Sequence, residues 1–161
     1  PNIMACQQLQ QKLVIVGEGP EEVRLKKISN SLIIFQKNLS EVKLANLYQH
    51  CQAVLSPGLD DFSLVALEAN LFGKPVIINQ LAGAAELIKN GVHGLHLTYS
   101  LTDTPSEITQ NLVKSLLKLK NYHFDRLALS KNALKYDTNK FIHNFDTVLR
   151  KAYQAKKEGR L

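Results

Sequence analysis

Ala53-Val-Leu-Ser-Pro-Gly-Leu-Asp-Asp-Phe-Ser-Leu-Val-Ala-Leu-Glu-Ala-Asn-Leu-Phe-Gly-Lys-Pro-Val-Ile-Ile78 is the stretch that decides the fold. An apolar run from Ala53 to Leu55 stops at Ser56-Pro57-Gly58, a helical pattern runs from Leu64 to Phe72 and stops at Gly73, and a second apolar run covers Pro75 to Ile78. Strand, helix and strand at this spacing make a βαβ unit, which requires parallel pairing and a right-handed crossover. The pattern continues in both directions. Upstream, Leu13 to Val16 reads as a strand, Gly17-Glu18-Gly19 as a tight turn, and Pro20 with Glu21 and Glu22 as a helix start that complements the helix dipole. Leu32 to Phe35 reads as the next strand, followed by a helix capped by Ser40 that runs through Leu44, Leu47 and Tyr48. Downstream, Gly94 to Leu97 makes a fifth strand.

From residue 104 onward the periodicity is helical only. Ile108, Leu112, Leu116, Leu117 and Leu119 form one amphipathic stripe, and Phe141, Ile142, Phe145, Val148, Leu149 and Tyr153 form a longer, final one. The expectation is one α/β domain over residues 1–161, a Rossmann-like three-layer arrangement on a single parallel sheet, with residues 104–161 as its all-helical part. Ligands of such sheets sit beyond the carboxyl ends of the strands.

Composition narrows the function classes. At 161 residues with 45% hydrophobic and 21% charged content, the chain has the balance of a globular domain with a real core. No apolar stretch reaches the roughly 20 residues a membrane span needs, and Pro1 to Gln8 has no basic or apolar leader character. A cytoplasmic protein is therefore expected. Cys6 and Cys51 lack metal-ligand spacing, so neither a disulfide framework nor a metal site is expected, and no cofactor is implied. The net charge of +6 is uneven: residues 110–161 carry 12 Lys/Arg against 4 Asp/Glu, whereas residues 1–109 carry 8 against 10. A basic C-terminal third suits an anionic membrane, at the inner face in a peripheral position, or a set of solvated helix faces. No aromatics interleave with these cations, so nucleic acid is not an expected partner.

The candidate site is the segment from Asp60 to Glu68. A loop of small residues entering a helix presents free N–H groups of Ser63 and Leu64 and the positive end of the dipole, a setting for a diphosphate. Asp60 and Glu68 could accept hydrogen bonds from sugar hydroxyls; alternatively, Asp60 or Asp61 caps the helix and Glu68 pairs with a lysine. An ionised Glu68 among Leu64, Val65, Ala66, Leu67 and Ala69 requires a partner of some kind. Gly17 and Gly19 are either ligand contacts or a strand-to-helix turn. Gly83-Ala84-Ala85-Glu86 repeats the pattern of a tight turn and an early acid, with Gly83 either letting a ligand approach or capping. The five histidines form no catalytic arrangement.

Four blocks, Lys12-Leu-Val-Ile-Val-Gly-Glu-Gly-Pro20, Ser56 to Ala69, Gly73-Lys-Pro-Val-Ile77, and Gly83-Ala-Ala-Glu86 with Asn90-Gly-Val-His-Gly94, occur in the order found in one family. The chain resembles the C-terminal, nucleotide-sugar-binding lobe of GT-B fold, retaining glycosyltransferases of group 1, family 4 type. The resemblance implies a donor-binding domain for a nucleotide-activated hexose, GDP-mannose or a UDP-hexose, passed to a glycan or lipid-linked acceptor in cell-envelope polysaccharide synthesis. It implies that Glu68 binds the ribose and that Asp60, the catalytic-site acid, contacts the donor sugar. It further implies that Phe62, Ser63, Leu64 and Val65 face sugar and diphosphate, that Leu39 lies against the base, and that Gly17 belongs to the donor site.

The sequence departs from the family at Asp60, where the family has Glu, and at Lys37 and Ser63, where it has Gly. The family's diphosphate-clamping Arg and Lys precede the Lys12 strand, and the eleven residues before Lys12 contain neither. The partner this implies is a second, N-terminal Rossmann lobe, without which the 161-residue chain is expected to be inactive. The alternative reading is a non-catalytic Rossmann-like module that docks through its basic C-terminal helices.

Overall fold

The computed structural model describes residues 1–160. Five strands alternate with helices: α1 (Asn2–Gln8), β1 (Leu13–Val16), α2 (Glu22–Lys27), β2 (Ile33–Gln36), α3 (Glu41–His50), β3 (Val54–Ser56), α4 (Leu64–Leu71), β4 (Val76–Asn79), α5 (Ala84–Leu87) and β5 (Gly94–Leu97). Three helices follow, α6 (Pro105–Lys120), α7 (Arg126–Ala133) and α8 (Thr138–Lys157), with a 3-10 turn at Leu134–Tyr136 before the last. Every strand pairing is parallel, as the βαβ reading requires.

The hydrogen-bonded strands fall into two ladders where one sheet was expected. β1 pairs with β2, Leu13 opposite Ile33, and β3-β4-β5 form the other set, Val54 opposite Val76 and Val76 opposite Gly94. β1 and β3 each keep one unpaired edge. The two sets are joined by side chains instead. Leu55 of β3 and Leu116 of α6 pack against both the cluster of Ala5, Ile77, Leu95, Leu97 and Leu112 and the cluster of Ile3, Cys6 and Ile33. α1 contributes to both clusters and so lies across the junction.

Layering follows from side-chain alternation. In β4 every residue is buried, with Val76 and Ile78 facing a cluster built from α3, α4 and α5, and Ile77 facing the cluster of α1 and α6. The set β3-β4-β5 therefore has helices on both faces. β1 and β2 are covered on one face only: Leu13 and Ile15 turn inward, whereas Val14, Val16 and Ile34 remain exposed.

Local chemistry sets the helix limits. Ser40 caps α3, its hydroxyl accepting from the Lys43 N–H at 3.4 Å. Thr104 and Glu107 form a reciprocal capping box on α6, with Pro105 at its first position. α4 ends in a left-handed turn at Gly73 (φ 67°), where the N–H of Lys74 reaches the Ala69 carbonyl at 2.9 Å and that of Gly73 reaches Asn70 at 2.8 Å. α2 begins at Glu22 rather than at Pro20, because Gly19 and Pro20 are used in the turn that delivers the Glu22 N–H to the Gly19 carbonyl. α1 and α7 were not anticipated: each is short, and α1 has no side-chain cap to announce it.

Two buried asparagines fasten α7 to α4. The Asn132 amide donates to Asn70 Oδ1 at 3.2 Å and to the Leu87 carbonyl at 2.9 Å, while the Asn70 amide donates to the carbonyls of Lys74 and His93 at 3.1 and 3.0 Å. Replacing Asn70 by Ala removes the donor to the part-buried carbonyls of Lys74 and His93 and one of the two acceptors of the buried Asn132 amide. We expect Asn70→Ala to lower unfolding free energy by about 2–3 kcal/mol, read as a shift of the urea midpoint at unchanged slope.

Candidate functional site

Because β3, β4 and β5 run parallel, the loops that leave their carboxyl ends emerge along one edge. Three contacts knit these loops together. The Gly83 N–H donates to the Asp60 carbonyl at 2.9 Å, Tyr99 donates its hydroxyl to the Pro57 carbonyl, and buried Asn79 accepts from the Leu81 N–H at 2.9 Å while its amide donates to the Tyr99 carbonyl at 3.4 Å. The backbones approach so closely that a Cβ on Gly83 would lie 1.8 Å from the Asp61 carbonyl oxygen. The space on the Cβ side of Gly83 is therefore filled by the protein's own loop, and Gly83 stands at the N-cap of α5, the second of the two readings its turn allowed.

The loop delivers Ser63 to the head of α4 in a left-handed conformation, φ 32° and ψ 84°, in which its hydroxyl makes no cap. Neither Asp60 nor Asp61 caps the helix either. The N–H groups of Ser63, Leu64 and Val65 consequently have no protein partner among the described residues, and Leu64 and Val65 are exposed rather than buried as their apolar character suggested. Three donors at a positive dipole end are thus left without a protein acceptor. The Ser63 hydroxyl instead lies 3.2 Å from that of Ser56, which also donates to Asp60 Oδ2 at 3.4 Å. Phe62 is half exposed and sits edge-on to Tyr136, ring centroids 6.3 Å apart.

Glu68 departs from the expectation of a carboxylate in a buried run. It points to the exposed side of α4, and the residues that α4 buries are Ala66, Leu67, Ala69 and Asn70. Its partner is a phenol and not a lysine: Tyr48 of α3 donates to Glu68 Oε2 at 2.7 Å, its ring stacked on Phe72 at 5.3 Å. One carboxylate oxygen is thus fixed and the other has no protein hydrogen bond among those described. Burial, then the hydrogen bond to Glu68 and its charge, push the Tyr48 phenol well above its ordinary range.

Gly17 and Leu39 belong to the other ladder. Gly17 follows β1 with φ 126°, its N–H donating to the Gln36 carbonyl at 2.9 Å, so it forms the turn. Leu39 is half-buried next to Asn38, whose φ is 52°, and Lys37 pairs with Glu18 at 3.9 Å across the two loops. The structure thus ties Asp60, Ser63 and Gly83 into one knot and Gly17 with the Leu39 loop into a second.

Sequence reading missed Tyr48, Asn79 and Tyr99, whose roles depend on contacts at long sequence separation, and Ser56, which bonds within its own loop. Among the described residues no three His, Cys, Asp or Glu side chains gather closely enough to hold a metal ion. Burial raises the pKa of both thiols, Cys6 and Cys51, which suits neither to nucleophilic work.

Comparisons with known proteins bear on the family and the fold. A family model described as glycosyl transferases group 1 matches residues 3–135. An uncharacterized glycosyltransferase of Methanocaldococcus jannaschii is 32% identical over 90 residues, covering 52% of this chain and 23% of the relative. A GDP-mannose-dependent alpha-mannosyltransferase of Corynebacterium glutamicum is 36% identical over 87 residues, covering 53% and 21%. The pneumococcal O-GlcNAc transferase GtfA, solved in complex with UDP and GlcNAc, superposes with a TM-score of 0.76 at 19% identity over 92% of this chain and 31% of that one, a likeness of fold. The chain thus spans about a quarter of the length of the curated relatives it matches.

Two outcomes follow from the geometry. Ser63→Gly should raise stability by about 1 kcal/mol, seen as a higher melting temperature, because a left-handed non-glycine residue is strained. In alkaline titration, Tyr48 should still be protonated where ordinary phenols ionise, and Tyr48→Phe should remove a late-titrating component of the phenolate absorbance. A phenol pKa raised by folding contributes stability that is complete below the unfolded value of about 10 and is lost as pH rises through the folded value.

Proposed function

We propose, because the chain belongs to the group 1 glycosyl transferases and has the fold of a GT-B lobe, that it is the part of a glycosyltransferase that holds the nucleotide-activated sugar. The observation that carries this reading is the uncapped head of α4, with the free N–H groups of Ser63, Leu64 and Val65 between two carboxylates at Asp60 and Glu68. A donor diphosphate takes the N–H groups and the dipole end. The free oxygen of Glu68, held in place by Tyr48, accepts from a ribose hydroxyl, and Asp60 accepts from the hexose. Phe62 lies beside the sugar, while Gly17 and Leu39 lie on the nucleotide side.

During transfer, negative charge grows on the departing nucleoside diphosphate as the sugar becomes oxocarbenium-like. Donors already aimed at that charge stabilise the transition state more than the ground state. We assign a retaining outcome with neither metal nor cofactor taking part, on the resemblance of the four sequence blocks. A GDP-sugar is favoured by the likeness to the Corynebacterium enzyme and a UDP-sugar by the likeness to GtfA, so both are to be tested. A hexosyl donor lobe of this kind works with a second, acceptor-binding lobe; the 161-residue polypeptide by itself binds donor weakly and transfers nothing. Two unpaired thiols suit a reducing, cytoplasmic setting.

A second reading, a non-catalytic module that docks through its basic helices, has one observation in its favour: α8 buries none of its residues.

Calorimetric titration with GDP-mannose and UDP-glucose separates the two. Binding of at least one donor, weakened about tenfold or more by Glu68→Ala, supports the donor lobe, in line with the loss of a charged hydrogen bond. Donor affinity indifferent to Glu68→Ala, or no nucleotide-sugar binding at all, would overturn it. Sugar transfer by residues 1–161 alone would sink the claim of inactivity.

A further inference from the structure

Glu68 is held by a neutral group. None of the described ion pairs includes it, and the Tyr48 hydroxyl at 2.7 Å is what fixes its carboxylate. A glutamate on the exposed side of a helix otherwise turns about several side-chain bonds, and immobilising it when a ligand arrives costs affinity.

Tyr48 is itself fixed in place. It is 8% exposed, belongs to the cluster that includes Ala66, Leu67 and Ala69 of α4, and stacks on Phe72 with the two rings 10° from parallel. Glu68 and Phe72 are four residues apart, so they are neighbours one turn apart at the end of α4. Tyr48 of α3 therefore grips α4 at two adjacent points, its ring on Phe72 and its hydroxyl on Glu68, and the phenol oxygen has a defined position. Burial, then the hydrogen bond to Glu68, disfavours the phenolate, so the proton stays on Tyr48 for the carboxylate to accept. A lysine or arginine in that place would neutralise the acid. A phenol orients it and leaves its charge for a ligand hydroxyl. Both partners belong to this lobe, so the arrangement holds whatever packs around it.

We propose that Tyr48 is a positioning residue for the donor: it presets Glu68 to receive a ribose hydroxyl and so makes the site select ribonucleotides over nucleotides that lack the 2′ and 3′ hydroxyls. This rests on the donor-lobe reading, in which Glu68 meets the ribose. Tyr48 acts through Glu68 and does not itself touch the ligand.

Calorimetric titration of the 161-residue chain with GDP and UDP, and with their 2′,3′-dideoxy analogues, tests this. We expect Tyr48→Phe to weaken ribonucleotide binding about tenfold, as loss of a hydrogen bond to a charged group does. Binding of the dideoxy analogue should be unchanged, and Tyr48→Phe should add nothing in a Glu68→Ala background. Tyr48→Phe keeps the ring and its stack on Phe72. Phe72→Leu, which keeps the hydroxyl but loosens the ring, is a second arm and should shift ribonucleotide affinity in the same direction. Equal loss for the ribonucleotide and its dideoxy analogue would show that Tyr48 serves packing alone and would overturn the proposal. Ribonucleotide binding that Glu68→Ala weakens and Tyr48→Phe does not would overturn it and leave the donor lobe intact. Failure of every nucleotide to bind would overturn both.

Discussion

The single hydrogen bond from the Gly83 N–H to the Asp60 carbonyl governs the working edge of this domain. It joins the loop after β3 to the loop after β4 at a distance only glycine permits. With Tyr99 holding Pro57 from the far side, the β3 loop is fixed at two points before it reaches α4. Ser63 then has little choice of conformation: the fixed loop delivers it to the helix in the left-handed region. The uncapped helix head is therefore a product of loop closure, and its three free donors are a consequence of backbone geometry rather than of any special side chain.

Strain and openness come together at this point. A helix start whose N–H groups are satisfied by a side-chain cap is more stable but has nothing left for an anion. Here the hydroxyl that would serve as a cap turns instead toward Ser56, whose own hydroxyl donates to the Asp60 carboxylate. Local stability is given up at the head of α4, and it is restored nearby by the Asn70–Asn132 pair, which clamps the other end of α4 to α7. The division is sharp along one short helix: its first turn is open and its last turn is locked by Gly73 and Asn70.

Much of this was legible in the sequence. Every strand was visible as a short apolar run bordered by Gly, Pro or Ser, and the Asp60 to Glu68 segment was recognisable from its loop-to-helix character and its order among the other blocks. What was not legible depended on distance along the chain. Tyr48 lies twenty residues from Glu68, and nothing local to either announces the pair. The close approach that requires Gly83 was hidden for the same reason: the atom beside it belongs to Asp61. Periodicity also reveals that a strand exists without revealing which edge it uses, so the division into two ladders could not be read, nor could the exposure of Glu68 on a helix whose apolar residues suggested burial on all sides.

The division into two ladders has its own consequence. Strands that share hydrogen bonds open together, whereas segments joined only through side chains such as Leu55 and Leu116 can open one at a time. With one face of β1 and β2 exposed and β4 buried throughout, the molecule contains two cooperative units of unequal strength. Amide protons of β1 and β2 should then exchange through a cheaper opening than those of β4. The loops carrying Gly17 and Leu39 would rest on the softer unit and the Asp60 loop on the harder one, so that fluctuation, not just position, distinguishes the two halves of the edge.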